Sequence, residues 1–321
     1  LQPTEFLGYT DTHSRAVLTD IVAAHKNTFL VFDQSPFYAE MGGQAGDAGT
    51  VLLDDRLIHI LDTVKDKAGR FLHKIATTDQ VSDIRTGSQA ELVVNMVRRR
   101  SISRHHSAAH LIHWALRKVL GTHVRQAGTS KTPDRMRFDF SHFEAVTHAQ
   151  LHEIEQMVND KVIDNAKVDS YETEFDQKPA DTLAFFGDKY GNIVRIVDIG
   201  GYSRELCGGT HVTTTGEIGM IKIVAEMAIA AGTRRIEAVA GQAAYAFISE
   251  HEAALKTVGS KLHAGPQDVV QKLDSLLAQQ KELEGKLKAY TQKASAGLSA
   301  DLIASAIGKG ELKFISRVVE V

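Results

Sequence analysis

Two pairs of side chains have the spacing of a metal site. His106 and His110 stand four residues apart in residues 103–120, where Ala109, Ile112, Leu116 and Val119 form an apolar stripe that predicts a helix stopping at Gly121. At that spacing both imidazoles leave one helix face about a turn apart. The pattern alone is weak, because 15 histidines in 321 residues supply about 0.7 such pairs by chance. His148 and His152 repeat it beside Glu144, Glu153 and Glu155, where plain solvation is the simpler reading. Cys207-Gly-Gly-Thr-His211 makes the difference. The chain's only cysteine lies four residues before a histidine, and the intervening glycines force a tight turn that lets both side chains face one point. One thiolate and three imidazoles make a good four-coordinate zinc set. We expect one zinc per chain on His106, His110, Cys207 and His211, against the alternative of a buried structural cysteine beside an unrelated histidine.

The elements that must position these groups follow from periodicity. Residues 1–95 read as β-rich, with apolar runs at 28–32, 50–53, 57–61 and 91–97 separated by Gly, Asp and Asn. Between them Met41-Gly-Gly-Gln-Ala-Gly-Asp-Ala-Gly49 lacks the Gly-Lys-Ser/Thr ending of a phosphate loop and the spacing of a dinucleotide fingerprint. It reads as a tight turn or as a close backbone approach to a ligand. Residues 96–241 are mixed α and β: the metal helix, a strand at 135–140, a helix at 144–162 with Leu151, Ile154 and Val158 inward, and strands at 193–197, 220–224 and 234–240. Residues 242–294 read as two helices, 242–263 and 267–293, parted by Ala264-Gly265-Pro266. In the second, Val269, Leu273, Leu276, Gln280, Leu283, Leu287 and Tyr290 follow a heptad seam. That seam suits self-association, or a hairpin folded back onto Leu255, Val258 and Leu262. Residues 295–321 resemble the start of a further small domain stopping in a strand at 314–321, and Leu1 is not Met, so a segment of something longer is expected.

The formal charge is −3, from 37 basic and 40 acidic residues, so any nucleic-acid contact must come from local patches such as Arg98-Arg-Arg100 with Arg104, or Arg234-Arg235. A solvated basic turn is the bland alternative for both. No apolar run reaches membrane-spanning length and no leader precedes the first strand, so a soluble, cytoplasmic chain without a membrane partner is expected. A lone cysteine excludes an internal disulfide and suits a reducing compartment.

A resemblance covers nearly the whole chain. His106-Ser-Ala-Ala-His110, Gln126 in His-Val-Arg-Gln, Arg137-Phe-Asp-Phe140, Glu205-Leu-Cys-Gly-Gly-Thr-His-Val212 and Gly232-Thr-Arg-Arg-Ile-Glu237 resemble, in order, the editing domain of alanyl-tRNA synthetases. Pro36-Phe-Tyr-Ala-Glu-Met-Gly-Gly-Gln-Ala-Gly-Asp-Ala-Gly49 is similar to the glycine motif of that family's adjoining β-barrel. Ser107 and Ala109 stand where threonines are usual, and Met41 where a small residue is usual. The resemblance implies an α+β protein with an N-terminal β-barrel, a zinc-bearing mixed α/β editing domain and a C-terminal helical hairpin or coiled coil leading toward a dimer-forming domain. It also implies hydrolysis of serine or glycine from the acceptor end of the alanine tRNA, with His106, Gln126 and Cys207 at the reaction site. Gly42, Gly43, Arg100, Arg104, Arg234 and Arg235 would then contact substrate or tRNA. Zinc could activate a water, polarise the ester carbonyl or hold the terminal adenosine; Gln126 could orient substrate or water. His113, on the same helix face, could support the ligands or simply pack. No segment resembles class II ATP-binding motifs, so ATP and tRNA charging belong elsewhere in a longer protein.

The rivals are a tRNA-binding or assembly module with a structural zinc, and a free-standing editing protein of the same family. A zinc protease is disfavoured because Ser107 stands where its glutamate would be, and Gly201-Tyr-Ser203-Arg-Glu205 lacks the second glycine of a nucleophile elbow.

Overall fold

The computed structural model describes residues 2–24, 26–76, 84–184 and 190–316. In chain order come β1 (Glu5–Phe6), β2 (His13–Ala24), β3 (Asn27–Phe32), β4 (Gln34–Ser35), β5 (Gly49–Leu53), β6 (Arg56–Lys65), β7 (Phe71–Ile75) and β8 (Gln89–Val94). Six of them close an antiparallel barrel in the order β2-β3-β7-β6-β5-β8. Leu18 of β2, Leu30 and Phe32 of β3, Val51 of β5, Ile58 of β6 and Leu92 of β8 fill its interior, and burial alternates with period 2 along β5, β7 and β8. β1 and β4 pair in parallel outside it.

Helix α1 (Met96–Val119) follows at once. It begins well before residue 103, because Asn95 caps it by accepting the Arg98 N–H and because its first turn buries an arginine. The Arg99 guanidinium is held by the Asp47 carboxylate and donates to the carbonyls of Gly8 (2.8 Å) and Pro36 (2.7 Å). A buried, fully engaged arginine does the work of an apolar residue, so apolar periodicity starts too late to mark this turn. Gly121, at φ 115°, ends the helix as expected.

Then come β9 (Gln126–Lys131), β10 (Met136–Ser141), α2 (His148–Ile163), β11 (Val168–Glu174), β12 (Ile193–Ile199), β13 (Ser203–Leu206), β14 (Ile221–Ala230) and β15 (Thr233–Ala240). They form a four-stranded sheet, β14-β15-β10-β9, and a three-stranded one, β11-β12-β13. The apolar stripe of α1 packs with Phe138 and Phe140 of β10, Ile154 and Val158 of α2 and Ile236 of β15 in one core. α2 starts at a capping box formed by Thr147 and Gln150, which sets its first turn at His148.

The chain divides into two compact units, Leu1–Ile248 and Ser249–Val321. α3 (Gln242–Leu262) leads into the second, which also holds α4 (Val269–Ala304), β16 (Ile307–Lys309) and β17 (Leu312–Phe314). α4 runs on to Ala304 rather than ending near residue 293, since Ala-, Ser- and Leu-containing residues 294–304 offer no breaker except Gly297. Its seam residues Leu273, Leu276, Leu283, Leu287 and Tyr290 are exposed, as are Leu255 and Val258 of α3. The strand expected at 314–321 is instead the end of β17 at Phe314, and residues 317–321 lie outside the described residues. Among the described residues no helix is long and apolar enough to cross a membrane.

Candidate metal centre

Helix geometry and the glycine turn bring the four expected donors together. The imidazoles of His106 and His110 leave α1 stacked, with centroids 5.4 Å apart and planes within 7°. Cys207 follows directly on β13, and its Sγ lies 3.3 Å from His106 Nε2 and 3.4 Å from His211 Nε2. All four donor atoms lie within 4.8 Å of one another. The turn has to be glycine here: a Cβ on Gly209 would come within 2.1 Å of the His106 ring.

Each histidine is oriented through its other nitrogen. His106 Nδ1 lies 2.7 Å from Gln44 Oε1, His211 Nδ1 3.1 Å from Ser107 Oγ, and His110 Nδ1 2.6 Å from Glu205 Oε2. That leaves three Nε2 atoms facing the Cys207 sulfur, and His110 Nε2 is buried there without a hydrogen bond. Metal-bound histidines are held this way, with the free ring nitrogen tied to an acceptor. Glu205 Oε1 takes His113 Nδ1 at 2.8 Å, so His113 joins the site through the carboxylate.

The electrostatics suit a cation. Burial, aided by neighbouring positive groups, holds His106 and His211 well below the ordinary histidine range, so both rings are neutral. Burial opposes charge on Cys207 too, but His110, Lys131 and the Gly209 N–H outweigh it and pull the thiol below its usual value. Burial likewise opposes charge on His110, yet Glu205 and Cys207 push it up to about 10. Glu205 is held far below the usual carboxylate range, its burial outweighed by His110 and His113. Two neutral imidazoles, a favoured thiolate and a carboxylate behind the third ring, whose proton a bound ion would displace, make a donor set that fits a divalent ion. The donor set and its geometry therefore fit zinc.

The cluster forms part of the wall of a cleft of about 760 Å³ that also meets Tyr38, Gly42, Gln126, Lys131, Arg195 and Glu205. Gln126 lines this cleft from the start of β9, with its side chain part-exposed. Gly42 and Gly43 sit on the barrel loop that presses against β9, with Lys131 N–H donating to Gly43 O at 2.7 Å and Lys131 Nζ to Gly42 O at 3.2 Å. A Cβ on Gly43, at φ 75°, would strike Thr129 O at 2.2 Å. Close backbone approach does explain this glycine, but the neighbour is a strand of the same protein.

The expected basic residues separate into two groups. Arg100 is exposed and Arg104 donates to Glu217 O at 2.8 Å; both line a second depression of about 600 Å³ together with Arg195 and Tyr9. Arg234 is paired with Glu226, and Arg235 makes a two-pronged contact with Asp139 at 2.6 and 2.9 Å. Those last two guanidiniums brace the four-stranded sheet. Sequence reasoning missed Gln44, Ser107 and Glu205 as supports of the ligands, although all three fall inside the motifs that drew attention. Arg195 was missed altogether. It donates to the carbonyls of Cys207 (2.9 Å) and Gly209 (3.0 Å) and stacks on Tyr9, whose hydroxyl donates to Gly208 O at 2.7 Å.

The comparison with known proteins agrees with this architecture. Residues 194–237, the segment carrying Cys207, His211 and Glu205, match the family described as Threonyl and Alanyl tRNA synthetase second additional domain. Residues 2–98 match the description tRNA synthetases class II (A). The class is thus that of the aminoacyl-tRNA synthetases. Over its full length the chain is 65% identical to an alanine–tRNA ligase of Opitutus terrae, of which it covers 34%. It is 40% identical over 98% of its length to that of Listeria welshimeri, covering 37% of that protein, and 47% identical over 76% to that of Methylacidiphilum infernorum, covering 26%. The chain belongs to the alanyl-tRNA synthetase family, and it spans about a third of the length of the curated relatives it matches.

Proposed function

We propose that this chain is an editing hydrolase that releases serine or glycine from mischarged alanine tRNA at the cleft beside His106, His110, Cys207 and His211. The observation that carries the reading is a cluster of four candidate metal donors beside a roomy cleft, in a chain of this family. The chemical need is general. A site that activates alanine excludes larger residues by size, but it rejects smaller glycine, or serine with one added hydroxyl, only modestly.

A zinc ion on the four donors would supply positive charge at the cleft wall, able to polarise an ester or hold the terminal ribose. Gln126 faces the same space with both a donor and an acceptor and would orient the substrate or the attacking water. Lys131, brought down to about 8 by burial, offers a donor at the loop that carries Gly42. Arg100 and Arg104 would take backbone phosphates of the acceptor end on the neighbouring face. ATP has no role in this reaction and would serve only the charging reaction of the longer relatives.

A binding module with a structural zinc is the second reading. Four protein donors favour it, because a catalytic zinc ordinarily keeps one position open. The two separate on incubation of zinc-loaded protein with Ser-tRNA and Ala-tRNA for alanine. Editing predicts release of serine with Ala-tRNA largely spared. Binding of the tRNA with the Ser-ester left intact would establish the module reading instead.

A further inference from the structure

Gln44 is fully buried, yet it belongs to the barrel loop and not to the domain that holds the metal donors. Its amide is pinned from two sides. The Thr210 backbone N–H, which can only donate, points at Oε1 from 2.9 Å. On the other side, Nε2 donates to Thr210 Oγ1, also at 2.9 Å. The oxygen is therefore an acceptor where it meets His106 Nδ1 at 2.7 Å, so that ring nitrogen must carry the proton. It follows that His106 Nε2 keeps its lone pair, facing Cys207. The second anchor, Thr210, is in turn bonded to Ser103 of α1 at 2.9 Å, which closes a chain of contacts around the ligand helix.

The loop that delivers Gln44 is clamped on β9. Gly43 O accepts the Lys131 N–H at 2.7 Å and the Ala45 N–H donates to Lys131 O at 2.9 Å. The barrel loop thus reaches His106 through the Gln44 side chain.

We propose that Gln44 is a positioning residue that fixes the tautomer of His106, so that metal capture by His106, His110, Cys207 and His211 depends on the barrel's glycine loop. The inference rests on the metal reading of that cluster. Loss of a partner that orients a ligating histidine weakens metal binding by about 10- to 100-fold.

The test compares the whole chain with Gln44→Met and Gln44→Glu. Zinc affinity is measured by competition with a chelator, the cobalt(II) absorption spectrum is recorded, and unfolding of the metal-free proteins is followed. Met fills the same space without an acceptor; Glu restores the acceptor while the Thr210 hydroxyl turns to donate. The expected result is weaker zinc binding by about 10- to 100-fold and an altered thiolate–cobalt band in Gln44→Met, with both restored in Gln44→Glu. Gln44→Met binding zinc as the unsubstituted chain does would overturn the proposal. So would equal losses in both variants that track loss of metal-free stability, since the role would then be packing alone. If the unsubstituted chain takes up no more zinc than His110→Ala/His211→Ala, the metal reading itself fails and this inference with it.

Discussion

Glu205 serves two histidines with one carboxylate. It accepts from His110 Nδ1 at 2.6 Å and His113 Nδ1 at 2.8 Å, and all three side chains are buried. One of those rings belongs to the candidate metal cluster and the other anchors the carboxylate against Phe138. Removing the charge leaves His110 less basic and free to turn. Glu205→Gln should weaken zinc binding by about 10- to 100-fold, read by chelator competition, with the fold retained. Unchanged affinity would mean that the carboxylate stabilises the core without governing the ligand. Ser107 shows a milder version of the same device. Its hydroxyl meets His211 Nδ1 at 3.1 Å and the Val212 N–H at 3.3 Å.

At the scale of elements, the barrel carries its own acid-sensitive histidine. His73 of β7 is fully buried, with Nε2 2.7 Å from Ser35 Oγ and Nδ1 3.0 Å from Leu30 O. Burial lowers it to about 4, against 6.5 for the exposed group. A histidine lowered on folding adds stability that is complete above its unfolded value and disappears as pH falls toward its folded one. The window is therefore from about 6.5 down to about 4, and the loss across it is about 3 kcal/mol. His73→Gln, which can keep both hydrogen bonds, should flatten the fall in barrel stability between those pH values in urea titrations. An identical acid slope in the variant would locate the lability elsewhere, for example at His105, which is also lowered to about 4.

What could be read in advance at this scale depended on how each element is held. The grouping of His106, His110, Cys207 and His211 was legible because helical spacing and a glycine turn are local rules. Strands β3, β5 and β15 announced themselves by apolar runs. β11 did not, because Val168–Glu174 is mostly polar and exposed and owes its place to pairing with β12. β9 did not either, since Gln-Ala-Gly-Thr-Ser-Lys has no strand signal and is ordered by β10 and the barrel loop. Gln44 and Glu205 were invisible as supports because their roles come from residues more than sixty positions away.

For the molecule as a whole, the second compact unit leaves a long apolar seam uncovered. Leu283, Leu287 and Tyr290 are 64%, 67% and 72% exposed, and Leu276 is 40% exposed. The heptad spacing of these residues is that of a helix which pairs with another. We expect self-association through α4, seen by light scattering as a mass above that of the monomer at high concentration and abolished by Leu276→Asp. A monomer mass unchanged by that substitution would leave the seam without a self-partner. The first unit makes the opposite case, since barrel and mixed α/β layer share buried contacts such as Arg99 with Asp47 and Gln44 with His106.

The central claim is that His106, His110, Cys207 and His211 hold one zinc beside the cleft, and metal analysis of purified protein tests it most directly. The account predicts one zinc per chain, lost in a His110→Ala/His211→Ala double variant that still folds. Equal zinc content in the two proteins would contradict it.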